Sequence, residues 1–298
     1  MPLAQRKLVI FDLNGTLLLR SPSRAGARQI YLRPYARSLV AYLTHPDVRN
    51  WLDCMVWSSA QPHNVSQMVD RVFGAGEGAG KGPLLRAVWA RDTLGLSRAK
   101  FHQKTQTTKD LAKPWGFFAP TNDPTKSAFP THGPETTLLV DDSPLKARLQ
   151  PWNHLCVAEY DATSRIRDLD AQVPDSSTSA SGAKSQKRKR EPSEEEEEEE
   201  EEAAATSGEP YDQTLLAVVG VFSHIRSVAN VAAWMRSRGL VAIMDGKESE
   251  STESEQSDDA LPSDPAQWFT SPRLLAAWAE RGRAALRELG IDAASAIE

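Results

Sequence analysis

Four stretches of the 298-residue chain carry side chains of the kinds that phosphoryl transfer uses. Val9 to Leu18 reads V-I-F-D-L-N-G-T-L-L, an apolar run that ends in Asp12 and breaks at Asn14-Gly15 before Thr16. Ser58 follows the apolar run Cys54 to Trp57, Lys109 opens K-D-L, and Asp141-Asp142 open D-D-S-P behind Thr137 to Val140. A carboxylate can attack phosphorus and carry the group as an aspartyl-phosphate. A turn's backbone N–H groups, a hydroxyl and a lysine can hold the other phosphate oxygens. Magnesium prefers oxygen ligands and keeps several waters, so one or two carboxylates and a carbonyl suffice to bring it to such a site. Each stretch alone has a plainer reading. Asn14-Gly15 is then an ordinary turn, Ser143 a helix cap before Pro144, Ser58 a strand-end serine, and Lys109 a solvated lysine like Lys104 and Lys113. In this order, at the ends of apolar runs, they converge on one site.

The elements that must position them follow from the hydrophobic pattern. Short apolar runs alternate with helical or loop segments, the pattern of a parallel sheet built from βα units, whose sites lie at strand C-terminal ends. Strands are expected at Lys7–Asp12, Cys54–Trp57, Leu84–Trp89, Thr137–Val140 and Leu155–Ala158. Helical spacing is expected over Tyr31–Leu43, with Pro34 in its first turn, and over Asn64–Phe73, ahead of a glycine-rich loop at Gly74–Gly82. The expected fold is an α/β, Rossmann-like three-layer domain over 1–240 around a central parallel sheet. Residues 171–209 interrupt it as a Ser/Lys/Glu-rich insertion whose composition cannot bury enough apolar surface to offset ordering entropy. Helices resume over Thr214–Leu240. An acidic linker, also expected to be disordered, covers 241–266. The segment 267–298 carries a helix that starts at Ser271-Pro272, stops near Gly290 and packs back on the domain.

Composition narrows the setting. A hydrophobic fraction of 40% supports one substantial core, and the formal charge of −5 is mild but unevenly spread. No stretch approaches ~20 apolar residues, so no membrane span is expected. The first strand starts so early that no cleavable signal or presequence fits before it. Cys54 and Cys156 sit in apolar runs, as buried thiols of a reducing compartment do. His63, His102 and His132 lack partners at metal-ligand spacing and read as surface or loop residues. Lys187, Arg188, Lys189 and Arg190 resemble a nuclear-localisation signal read by import machinery, or else a solvated basic stretch. The run Glu194 to Glu202 repels nucleic acid, so direct nucleic-acid binding is not expected. The expected location is the nucleus, with the cytoplasm as alternative and the mitochondrion only if further sequence precedes Met1.

The order and spacing of D-L-N-G-T, V-W-S-S-A, K-D-L and L-V-D-D-S-P resemble the haloacid dehalogenase superfamily. K-D-L followed by D-D-S-P resembles its branch of RNA polymerase II C-terminal-domain phosphatases, also called NLI-interacting-factor-like phosphatases. The likeness covers Lys7 to Leu240 less the insertion. It implies that Asp12 is the nucleophile, that Thr16 and Ser58 bind phosphate, and that Lys109 is the phosphate-binding lysine. It further implies a Mg2+ site made by Asp12, Asp141, Asp142 and the backbone carbonyl of Asn14. One position departs from the pattern. The family's acid/base aspartate is Asn14 here, and an amide cannot exchange a proton at neutral pH. Such a loss typically costs ~10²–10⁴ in rate. The superfamily's P-type ATPases and phosphonate hydrolases also lack that aspartate and keep the first one.

Two functions therefore stand open. One is a slow, magnesium-dependent phosphoprotein (Ser/Thr) phosphatase working through Asp12 on a phosphoprotein substrate. The other is a non-catalytic binding or adaptor protein, similar to the presequence receptor of the mitochondrial inner-membrane translocase. Specificity is expected from the region between Ser58 and Lys109, helped by Arg33, Arg91 and Asp92.

Overall fold

The structure is a computed structural model that describes residues 5–21, 28–77, 84–119, 131–172, 211–243 and 264–295. Its strands are β1 (Lys7–Phe11), β2 (Leu18–Arg20), β3 (Ile30–Leu32), β4 (Leu52–Trp57), β5 (Leu85–Trp89), β6 (Thr137–Asp141) and β7 (His154–Cys156). Alternation along β1 sets the architecture. Val9 and Phe11 face one way and Leu8 and Ile10 the other, and all four are fully buried. A strand apolar on both faces has to be covered on both, which is the condition of an interior parallel strand.

Five strands form one parallel sheet in the order β5-β4-β1-β6-β7. The chain moves outward from β1 through β4 to β5, then returns to lay β6 on the other side of β1. Open α/β sheets have their crevice where that reversal occurs, at the strand C-terminal ends. The register places Phe11 opposite Val56 and Val140, so the residues just beyond it on three adjacent strands come out side by side.

The Val9/Phe11 face is covered by helices Ala36–Thr44, Pro62–Phe73 and Thr214–Ile225. Phe222 meets Phe11 edge-on with ring centroids 5.8 Å apart. The C-terminal helix Pro272–Glu288 lies across Thr214–Ile225, its start capped by Ser271. The two axes approach so closely that a Cβ on Gly220 would sit 2.1 Å from the Trp278 carbonyl oxygen. The opposite face is covered by a thinner layer that includes Leu94, Leu111 and Phe118.

Two expectations are corrected. The helix expected over Tyr31–Leu43 begins only at Ala36. Residues 30–32 instead pair antiparallel with β2, and Tyr35, at φ 63°, breaks the chain between strand and helix. Leu32, Tyr35, Leu39 and Leu43 are all buried, so the spacing marks one core face, half of it supplied by a strand and a turn. His132, read from sequence as a surface or loop residue, is buried, and its Nε2 lies 3.1 Å from Asp53 Oδ2. Arg6 Nη2 at 2.6 Å and Arg86 Nε at 2.8 Å complete this cluster at the start of β4. Burial pushes the Asp53 carboxyl up. The hydrogen bonds from His132, Arg6 and Arg86 outweigh that and hold it well below the usual range.

Cys54 and Cys156 are buried and unpaired with one another, as their apolar settings predict. The expected insertion 171–209, with the basic cluster Lys187 to Arg190 inside it, and the expected linker 241–266 lie outside the described residues except at 171–172, 241–243 and 264–266. The last of these begin a 3₁₀ helix, Pro265–Thr270. No helix among the described residues is long and apolar enough to cross a membrane.

Candidate active site

Three neighbouring strand tips deliver the chemistry. Asp12 leaves β1 with its N–H donating to the Val140 carbonyl at 2.9 Å, which fixes it beside β6. Asp141 ends β6, fully buried, and Asp142 follows it. Ser58 leaves β4 with its N–H bonded to Trp89 O on β5. The turn after Asp12 needs glycine at position 15, where φ is +88°. A Cβ there would also lie 3.0 Å from Asp142 Oδ2, so the turn packs directly against the acidic pair.

Two ammonium groups hold the three carboxylates together. Lys109 is wholly buried, with Nζ 2.6 Å from Asp141 Oδ2 and 3.0 Å from Asp12 Oδ1. The second contact is an ion pair without hydrogen-bond geometry, so buried Asp12 Oδ1 has no hydrogen-bond donor. Lys104 is exposed and Lys113 bonds the Thr93 carbonyl, which leaves Lys109 as the lysine of that segment at the site. The other ammonium belongs to Lys146, which the motif reading missed. Its Nζ is 2.7 Å from Asp12 Oδ2, 3.1 Å from Asp141 Oδ1 and 3.3 Å from Asp142 Oδ1. The available signal was a lysine four residues after Asp142 in D-D-S-P-L-K, brought back by the 3₁₀ turn Pro144–Lys146.

Electrostatics divides the acidic pair. Burial raises the Asp141 carboxyl, but Lys109 and Lys146 outweigh it and hold the group down at about 2. Asp142 is pushed up to about 6 by burial and by the negative charges of Asp12 and Asp141, against the attraction of Lys146. Burial alone would lower Lys146, yet the three carboxylates raise it above the ordinary lysine value, so it stays a cation.

The remaining expected residues fall in different places. Asn14 is exposed at the cleft, and its Oδ1 accepts from the Arg20 N–H at 2.7 Å. Ser58 lines the same cleft, a space of about 270 Å³ bordered also by Asp12, Arg20, Arg28 and Lys146. Thr16 is fully buried beneath the carboxylates, with Oγ1 3.5 Å from Asp142 Oδ1. Arg33 and Arg91, weighed for specificity, are buried and bond the protein itself, while Asp92 is exposed. Arg91 donates to the carbonyls of Ser59, Lys100, Phe101 and Gln103, bracing the loop before Lys109. Arg33 reaches Thr16 O, Ala158 O and Asp212.

The donor set fits magnesium. Asp12, Asp141 and Asp142 offer oxygens within 4.8 Å of one another, and Asp12 Oδ1 is buried without a hydrogen-bond donor. Hard oxygen ligands suit that ion.

The family model for NLI interacting factor-like phosphatases matches residues 7–174. That is more than half of the chain, and the chain belongs to this family. An uncharacterised FCP1 homology domain-containing protein of Schizosaccharomyces pombe is 32% identical over 166 residues, spanning 53% of this chain and 63% of that protein. Two solved structures are similar. An arginine-to-alanine variant of the fission yeast RNA polymerase II CTD phosphatase Fcp1, bound to beryllium fluoride, matches at 12% identity and TM-score 0.39, covering 83% of this chain and 68% of that one. A further structure of Fcp1 matches at 13% identity and TM-score 0.38 with the same coverage.

Proposed function

We propose that the chain is a magnesium-dependent phosphoprotein (Ser/Thr) phosphatase that works through an aspartyl-phosphate at Asp12. The observation that carries this reading is the setting of Asp12. A buried carboxylate at a strand tip, with one oxygen lacking a hydrogen-bond donor, borders a cleft whose other walls include Arg20, Arg28 and Ser58. Cationic and hydroxyl groups around a nucleophile suit a phosphoryl group better than a neutral ligand.

In the first step an Asp12 oxygen forms a bond to phosphorus and the bond from phosphorus to the seryl or threonyl oxygen breaks. The electron pair leaves with that oxygen, which needs a proton. Asn14 has none to give. In the second step water attacks the aspartyl-phosphate, releases phosphate and restores the carboxylate, again without a base at position 14. Asp141 and Asp142 are the groups that, with Asp12, would hold Mg2+. When bound, the ion supplies neutralising charge between the carboxylate and the phosphoryl oxygens. Lys109 keeps Asp12 and Asp141 fixed in relation to each other. No observation favours the adaptor reading, because a pure binder has no chemical need for the retained nucleophile.

The test is turnover of an aryl phosphate and a phosphoserine peptide with magnesium. Asp12→Asn is expected to abolish both activities. Turnover that survives Asp12→Asn would refute the aspartyl-phosphate route. A nuclear site of action, reached by import machinery, is part of the reading and rests on Lys187 to Arg190. Deleting those four residues should move a fluorescent fusion to the cytoplasm, and an unchanged distribution would remove that part.

A further inference from the structure

Lys146 stands where a metal-bound site of this kind needs room. Its ammonium reaches one oxygen of each of Asp12, Asp141 and Asp142, at 2.7, 3.1 and 3.3 Å. Among the described residues those same three form the group of acidic side chains able to hold a metal ion. An ammonium and a divalent cation drawn by the same carboxylates repel each other at contact distance. Both cannot rest there at once.

The two lysines differ in their freedom to yield. Lys109 is wholly buried between Asp12 and Asp141. Lys146 keeps 16% of its side chain exposed and borders the cleft. Its backbone is held where it is, because the Lys146 carbonyl accepts from the Lys109 N–H at 2.8 Å. The side chain above that anchor is a flexible four-carbon stem with a compact charge, which can change rotamer without moving the turn.

We infer that Lys146 is a resident counter-cation of the carboxylate triad, which a divalent metal must displace into the cleft. The chain's own side chain thus balances the charge of the three carboxylates and holds them together. Metal entry turns the ammonium toward the space beside Arg20, Arg28 and Ser58, where it meets the phosphoryl oxygens of a substrate. Metal binding and the assembly of the anion-binding wall become one event. This inference rests on the reading of the triad as a metal site, but not on turnover.

The experiment therefore measures binding. Magnesium and manganese are titrated calorimetrically into the full chain and into Lys146→Gln, which keeps most of the side-chain length and removes the charge. The variant is expected to bind either metal about tenfold more tightly or better, since no competing cation has to leave. Equal or weaker affinity overturns the inference, as does absence of binding by both proteins. Should Lys146→Gln fail to fold, the native chain decides. Amine acylation followed by mass spectrometry is expected to modify Lys146 several-fold faster at saturating magnesium, with Lys109 unchanged. A Lys146 rate that magnesium leaves unaltered overturns the inference. A protein that shows these binding results and hydrolyses no phosphate ester would sink the phosphatase reading alone.

Discussion

Asn14 keeps the hydrogen bond that an aspartate would make while lacking the proton. Its Oδ1 accepts from the Arg20 N–H at 2.7 Å, a bond that a carboxylate oxygen accepts equally well. Asn14→Asp is thus expected to leave the turn in place and restore only the missing acid/base. Turnover of a phosphoserine peptide should rise by ~10²–10⁴, and that of an aryl phosphate less, because an aryl oxide leaves with little protonation. No gain for either substrate would show that Asn14 is not what limits the rate, and a gain equal for both would place the limit in the shared second step, hydrolysis of the aspartyl-phosphate. Much of this site is legible in the sequence. Asp12, Ser58 and Asp141 each end an apolar run, so a strand tip is implied wherever the run stops. Lys109 is singled out in the sequence by K-D-L, with Lys104 and Lys113 as nearby competitors, and its burial against Asp12 and Asp141 separates it from them. Lys146 carries only a weak signal. Four residues after Asp142, it looks like one half of an ordinary surface pair until the 3₁₀ turn aims it at all three carboxylates.

At the level of elements, the five parallel strands are legible because each is a short, largely apolar run bounded by polar or turn residues. The β2–β3 ribbon was not, since Leu32 and Tyr35 fit the helical spacing of Leu39 and Leu43 equally well. The Asp53 cluster was also hidden. Arg6, Arg86 and His132 come from three separate segments, and only the sheet brings them to the start of β4. Its carboxyl is held below the ordinary range in the folded state. The stability it contributes is therefore present above about pH 4, the unfolded carboxyl's range, and is lost as pH falls through the folded value. Arg6 and Arg86 are partly exposed, which weakens their share, so Asp53→Asn is expected to cost about 1–3 kcal/mol at pH 7. Urea midpoints measured from pH 7 to pH 2 check this. The gap between the native chain and the variant should narrow steadily below about pH 4, and a constant gap would contradict the assignment.

Across the whole molecule, Arg33 joins segments far apart in sequence. Its buried guanidinium donates to the Thr16 and Ala158 carbonyls on one side and to Asp212 and Thr214 on the other. Asp212 N–H in turn bonds Asp168 Oδ1 at 2.9 Å, so the chain at 211–214 lies against the end of helix Ala162–Asp170. Arg33 therefore sets where the molecule can be cut and still work. The family match stops at residue 174, yet the acid that satisfies Arg33 and the helix that covers Phe11 lie beyond it. A fragment ended at 174 would leave a buried cation without its acid and strip from the Val9/Phe11 face one of the three helices that cover it, and it should aggregate on sizing chromatography. A cut between 173 and 210 is different, because the contacts among the described residues on either side of it are all kept. Fragments 1–174 and 209–298 produced together should co-elute as one particle, and failure to do so would mean that covalent continuity is needed. The stretch that the family model matches, 7–174, is thus shorter than the stretch whose side chains close the core, which runs on into the C-terminal helix.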